Sequence, residues 1–386
     1  MAIKQKIKGI IGEISDRYYI MRAKSVEIEK YRDSRREKIM AQKPLSNQEK
    51  AEIDKFYQEN YGGKKIPYTW HQYYSAVTGK FDVTYFPELL FIPEFERHMN
   101  PYSHYAETFS DKNILPYIAK AAGIEMPKTV ISCVFGQYRD CNDQIITAEA
   151  AKDIVQNSNF LFAKPSIESC SGEGCMTLDF VNGKEKQTSK SAEEIFVSLG
   201  TSFVIQERIQ CHDSIAKIYS GSVNTFRIMT YRWKDKIKHL PVIMRIGKGG
   251  ACVDNAHAGG VFIAIEDDGT LHEWATTEFD DKFTEHPDSH LVFAGYQIPL
   301  VKDVIAAAYR MHNMIPQVGA INWDFSINEE GKPILIEVNI NGGSVWLFQM
   351  AHGRGAFGDE TAEVLQWLRK VKKMNRKERE QHLFGN

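Results

Sequence analysis

The sequence predicts an α/β or α+β fold of two or three packed lobes behind a charged helical arm. Three observations carry this expectation. Apolar strand runs alternate with helical segments over most of the chain, the first sixty or so residues keep helical spacing, and 386 residues exceed one small core. Apolar residues make up 43% and charged residues 25%, an ordinary balance for a globular chain; the formal net charge of −2 gives no global attraction to nucleic acid.

From Met1 to about Asn60, Ile3, Ile7, Ile10, Ile11 and Ile14 mark one helical face, with Lys4, Lys6 and Lys8 off it. A helical arm packed on the rest of the protein is expected. The alternative is a basic amphipathic helix making weak contact with an anionic membrane. The charged start lacks the apolar run of a signal peptide, and Leu89–Pro93 is too short to span a bilayer, so a cytoplasmic protein is expected. The aromatic and proline-rich stretch from Tyr61 to Pro101 predicts an irregular packed connector, because its prolines oppose regular helix.

Ser110 is expected to cap a helix that runs to Gly123. Strands are expected near 129–135, 160–164, 203–207, 225–233, 242–246, 261–265, 323–327 and 334–339, and helices near 148–156, 192–199, 301–314 and 359–373. The basic tail reads as a solvated helix end. Cys133, Cys141, Cys170, Cys175, Cys211 and Cys252 form no CxxC pair and have no His-x-x-x-His partner. They predict reduced, buried small side chains and no zinc site.

The most informative stretch runs from Gly319 to Gly343. Asp324 sits in one apolar run, Glu337 and Asn339 in the next, and the intervening Asn-Glu-Glu-Gly turn predicts an antiparallel hairpin. Glu337 and Asn339, two apart, share a strand face, and the hairpin brings Asp324 beside them. Two carboxylates and an amide then offer hard oxygen ligands of the kind magnesium takes with a nucleotide; the alternative is an exposed polar face on an edge hairpin. Lys164 ends a strand, and the Ser/Gly loop after it can fold backbone N–H groups over phosphates or be a ligand-free hairpin turn. It lacks both GxxxxGK[ST] and GxGxxG spacing. Arg227 and Arg245 stand in apolar strands and need a counter-charge, either a transferring phosphate or a structural carboxylate. In the glycine-rich loop that follows, Asn255 and His257 can hold a carboxylate or accept a proton from an amine, or lie at the surface.

Taken together, the order Asp-Lys, Ala-Lys-Pro, Gln-Glu, Asn-Thr-x-Arg, Arg…Asn…Gly-Gly, Asp and Glu-x-Asn from about Asn100 to Gly343 resembles the ATP-grasp superfamily. It resembles most the branch associated with sugar transfer, whose pattern is similar to that of the ribosomal-protein glutamate ligases. The resemblance implies an α+β ATP-grasp fold, with two subdomains gripping ATP. It implies a division into an arm (1–60), an N-terminal lobe (61–150), a lid-bearing subdomain (151–207), a metal-bearing subdomain (208–368) and a tail (369–386). Lys112 and Lys164 would hold the phosphates of ATP under a loop containing Ser169, Ser171, Gly172 and Gly174. Gln206, Glu207 and Ile209 would meet adenine, and Asp213 the ribose. Arg227, Arg245 and Asn341 would serve the reacting groups, with Mg2+ on Asp324, Glu337 and Asn339. Asn255, His257, Gly259 and Gly260 would meet substrate.

The implied chemistry is amide formation through an acyl phosphate. A small-molecule or lipid-linked sugar carboxylate and an amine would be the partners, in surface polysaccharide synthesis. Tyr68, Trp70, His71, Tyr73 and Tyr74 would either stack on a sugar ring or form an aromatic core. A kinase acting on a sugar hydroxyl and a non-catalytic ATP-binding subunit are the alternatives.

Overall fold

Period-two alternation along short β-rich runs builds two antiparallel sheets in the chain, seen here in a computed structural model that describes residues 2–63, 65–101, 104–167 and 174–385. The smaller sheet contains β1 (Thr129–Val134), β2 (Gln137–Asp140), β3 (Ile145–Ile146), β4 (Leu161–Pro165), β5 (Met176–Leu178) and β8 (Ser202–Glu207), in the order β3-β2-β1-β8-β4-β5. A separate ribbon pairs β6 (Phe180–Val181) with β7 (Lys184–Glu185). Leu161, Ala163, Phe203 and Ile205 point into a core closed by helices at Ala148–Gln156 and Ala192–Leu199. By alternation Phe162, Lys164 and Gln206 face the other way, toward the larger sheet. The small sheet runs continuously across residue 150, because β1 pairs directly with β8.

The larger sheet contains β9 (Thr225–Trp233), β10 (Lys236–His239), β11 (Ile243–Ile246), β12 (Val261–Ala264), β13 (Ala275–Thr276), β14 (Lys282–Phe283), β15 (Ala320–Ile327) and β16 (Pro333–Asn339). Its order is β14-β13-β12-β11-β9-β15-β16, with β10 paired to β9. One face buries Phe226, Ile228, Ile263 and Trp323 beneath a helix at Val301–Asn313. The other carries Met229, Tyr231, Phe262 and Ala320 into a second core that includes the N-terminal helices.

Those helices are α1 (Ala2–Lys30), α2 (Ser34–Gln42), α3 (Asn47–Asn60) and α4 (Thr69–Thr78). The expected packed arm is present: Ile39, Ile53 and Tyr57 are buried, and α1 is tied down by Lys24–Glu94 and Asp16–Arg97 pairs. Its first half nevertheless exposes Ile11, Ile14 and Tyr18 at 60%, 63% and 58%. Among the described residues no helix is long and apolar enough to cross a membrane.

Four expectations need correction. The 61–101 stretch is helical, not irregular: α4 is followed by α5 (Glu88–Leu90), a π-helical turn at Phe91–Glu96 and α6 (Arg97–Met99). Pro87 stands at the N-cap of α5, where a missing N–H breaks no helical bond, and Pro93 falls inside the π turn. Trp70, His71, Tyr73 and Tyr74 are core residues, with no face left for a sugar; Tyr68 is partly buried and bonded to Asp54. Ser110 ends a helix, α7 (His104–Ser110), and α8 begins only at Leu115, where Pro116 suits the first turn. The cysteines are not uniformly buried: Cys133 is, Cys141 is exposed, and Cys175, Cys211 and Cys252 reach the cavity between the sheets. The tail also folds back rather than running into solvent, with Phe384 packed against the second core.

Candidate functional site

Between the sheets lies a cavity of about 790 Å³ lined by Lys112, Lys164, Gln206, Arg227, Arg245, Asp324, Glu337, Asn339 and Asn341, among others. Strand register explains the grouping. On β15, Asp324 pairs with Arg227 of β9 on one side and Glu337 of β16 on the other, while Thr225 of β9 pairs with Arg245 of β11. Cross-strand partners share a face, so these side chains converge.

A bulge makes the hairpin work. Strict alternation would put Leu335 on the same face as Glu337. The register instead shifts between Asp324 and Phe325, so that Phe325 pairs with Leu335 and Asp324 with Glu337. The extra residue, Ile336, lets Leu335 enter the core while Glu337 turns to the cavity.

Asp324 is the electrostatic centre. Its Oδ1 accepts from Arg227 Nε at 2.5 Å, and its Oδ2 accepts from Arg227 Nη2 at 3.0 Å and pairs with Arg245 Nη2 at 3.0 Å. Arg245 also donates to Thr225 Oγ1 at 2.8 Å and lies 3.4 Å from Asp254 Oδ1. Asp254 in turn accepts from the Thr225 backbone N–H at 2.9 Å. Burial pulls the Arg227 guanidinium below its ordinary pKa despite Asp324. For Arg245 the opposing burial is outweighed by Asp254 and Asp324, and its pKa is raised.

The lysines face this cluster from the other side. Lys112 is held by a turn in which Asp111 accepts from Asn113 N–H, and its own N–H donates to Ser166 O at 3.0 Å, just beyond β4. Its Nζ lies 3.3 Å from Glu337 Oε1. Burial, helped by the Lys112 charge, lowers Lys164 to about 8. Buried cations converging on one cavity invite an anion.

Glu337, with 32% of its side chain exposed, and Asp324 and Asn339 supply two carboxylates and an amide to one space, Asn339 Nδ2 lying 3.5 Å from Asp324 Oδ2. Two arginines leave some acceptor positions of Asp324 unused, so this oxygen-rich set fits a magnesium ion. Gln206, Glu207, Ile209 and Asp213 also line the cavity, at the end where β8 leaves the small sheet. The Glu207 side chain pairs with Lys128 at 2.7 Å. Of the loop residues, Asn255 lines the cavity. His257 instead turns to Glu278, 2.7 Å away, and Gly259 and Gly260 lie beyond the lining, where a Cβ on Gly260 would come within 2.6 Å of Asp254 O. Gly174 has φ +73°, and a Cβ there would meet Pro165 at 2.9 Å. Ser169, Ser171 and Gly172 lie outside the described residues.

Several supporting residues were not foreseen. Asp254 and Thr225 position Arg245. Asn100 accepts from the Gly319 and Ala320 N–H groups and donates to Ile340 O, fastening β15 to the loop that carries Asn341. Glu96 accepts from the Gly342 and Gly343 N–H groups at 2.8 and 2.7 Å, and Glu88 does the same for Val345 and Trp346. The only sequence signal was acidic residues inside an aromatic, apolar run.

Burial raises both Glu88 and Glu96 to about 8. From an ordinary value of 4.5 up to 8, the folded chain therefore binds more protons at these groups than the unfolded chain does. They make stability fall as pH rises through that window and level off above it. Glu96→Gln is expected to flatten this slope in denaturant titrations at a series of pH values; an unchanged slope would mean that Glu96 does not carry it.

The two sheets and the cavity between them are those of an ATP-grasp fold. The family model for sugar-transfer associated ATP-grasp proteins matches residues 91–364, and the chain belongs to that family. No curated protein matches the chain. Among solved structures it is similar to the VanG D-Ala:D-Ser ligase from Enterococcus faecalis, at 17% identity and TM-score 0.41, covering 68% of this chain and 61% of that one. It is also similar to an L-amino acid ligase from Bacillus licheniformis, at 16% identity and TM-score 0.37, covering 68% and 48%. A third is carboxyaminoimidazole ribonucleotide synthase from Aspergillus clavatus complexed with ATP, at 11% and 0.36, covering 61% and 46%. The chain thus spans less than two thirds of the length of these proteins.

Proposed function

We propose that this chain is a cytoplasmic, ATP-dependent carboxylate–amine ligase that forms an amide through an acyl phosphate on a sugar carboxylate, in surface polysaccharide synthesis. The observation that supports this best is the opposition, across one cavity, of Lys112 and Lys164 to the Arg227–Arg245–Asp324–Glu337 cluster. In this reading the lysines bind the phosphates of ATP, with Ser169, Ser171, Gly172 and Gly174 in the loop over them. Gln206, Glu207 and Ile209 frame adenine, and Asp213 the ribose. Mg2+ held by Asp324, Glu337 and Asn339 would supply positive charge to the phosphate oxygens.

Arg227 and Arg245 then serve the carboxylate and the γ-phosphate, where negative charge accumulates as they approach. A carboxylate oxygen forms a bond to the γ-phosphorus as the bond to ADP breaks. The amine next displaces phosphate from the acyl carbon and gives up a proton. Asn341 and Asn255 lie at the substrate end, with His257, Gly259 and Gly260 on the loop beyond. In this reading 151–207 is the lid-bearing subdomain and 208–368 the metal-bearing one. The exposed Ile11, Ile14 and Tyr18 on a helix that also bears Lys4, Lys6 and Lys8 suit weak contact with a membrane surface, as a lipid-linked sugar would need.

The test is phosphate release from Mg·ATP over a panel of uronic-acid sugars crossed with amines. Release that needs one member of each group, with an amide in the mass spectrum, supports the ligase. A stable phosphorylated sugar formed without amine would replace it with a kinase.

A further inference from the structure

Away from the cavity, the hairpin after β12 and the end of the helix at Trp346–His352 bring Glu266, His272 and His352 together. The turn is tightly specified. Gly269 N–H donates to Glu266 O, Gly269 has φ +94°, and a Cβ on it would overlap Ile298 O. His272 N–H donates to Ala264 O, and across the turn the His272 Nε2 and Glu266 Oε1 atoms are 2.6 Å apart.

His352 completes the group from the helix. Its side chain is only 2% exposed, and its Nε2 lies 2.7 Å from Val242 O. A carbonyl oxygen can only accept, so the proton sits on Nε2 and the Nδ1 lone pair is bare. That buried Nδ1 has no hydrogen-bond partner, and it faces Glu266 Oε1 at 3.9 Å. A buried imidazole nitrogen left unsatisfied, with its tautomer fixed by a carbonyl behind it, is how a metal-binding histidine is held.

We propose that Glu266, His272 and His352 form a zinc site that joins the β12 hairpin to the end of the helix at Trp346–His352. Two imidazole nitrogens and one carboxylate oxygen make a His2Glu set with a fourth position open to water. The three ligand atoms lie within 4.8 Å of one another, near the roughly 3.3 Å edge of a tetrahedron with bonds of about 2 Å. Glu266 and His272, being partly exposed, can take up the difference. Binding exchanges the ion for the proton between His272 Nε2 and Glu266, which passes to solvent. Arg354 is the opposing charge nearby, and it acts on both Glu266 and His352. None of the three ligands lines the cavity, so the site is independent of magnesium there.

The experiment is titration of the full-length, tag-free protein with Co2+ in the presence of excess Mg2+, followed by Zn2+. One Co2+ per chain with the visible absorption of a tetrahedral complex, bleached by Zn2+, is expected. Zn2+ should also raise Tm by several degrees. Glu266→Gln and His272→Gln, both at accessible positions, should abolish the absorption while keeping the wild-type circular dichroism. Absence of the band in the wild type, or its persistence in both variants, would overturn the proposal.

Discussion

Asp324→Asn is expected to reduce Mg·ATP turnover at least about 10³-fold and, at the same time, to destabilise the nucleotide-free protein by about 3–5 kcal/mol. The double effect follows from its position. Asp324 is 2% exposed and is the common anion of two buried guanidinium groups, so its neutral amide leaves Arg227 and Arg245 confronting each other. Glu337→Gln separates the two effects. Glu337 is partly exposed and touches Lys112 at 3.3 Å, so turnover should fall steeply while stability changes by no more than about 1 kcal/mol. Denaturant unfolding and phosphate release on the same samples check both. Full activity in either variant would contradict the metal assignment.

Arg245→Ala is expected to lower kcat about 10²–10³-fold while changing nucleotide affinity less than about tenfold. Arg245 reaches Thr225, Asp254 and Asp324 through a planar fork, so Arg245→Lys should recover little of the rate. Single-turnover kinetics beside nucleotide titration separates the steps. Equal losses in affinity and rate, or loss of folding alone, would make Arg245 a structural cation.

Most of the longer strands were legible because their patterns are local, while the order in which they join into sheets was not. The helix at Ala192–Leu199 and the strand at Thr225–Trp233 match their expected bounds, and Asp324, Glu337 and Asn339 meet as the hairpin signal implied. What escaped depends on distant partners. The bulge at Ile336 is set by the rival demands of the core on Leu335 and of the cavity on Glu337, which alternation alone does not reveal. Prolines concealed the helices between 61 and 101, since only packing shows that Pro87 caps and that Pro93 sits in a π turn. Glu88 and Glu96 were read as part of a connector, although their carboxylates order a loop some 250 residues later in sequence. The Glu266–His272–His352 group has no motif spacing, because its third member arrives from a helix some eighty residues beyond the hairpin that carries the other two.

Lys112 and Lys164, cations buried at the cavity, are expected to bind a magnesium nucleotide. Lys164 is the group to change, because burial lowers its pKa to about 8 and a phosphate would offset that desolvation. Calorimetric titration of a non-hydrolysable ATP analogue with Mg2+ into the wild type and Lys164→Met is the decisive measurement. The expected result is one nucleotide per wild-type chain and affinity at least about tenfold weaker in the variant. No binding by the wild type, or the same affinity in both proteins, would contradict it.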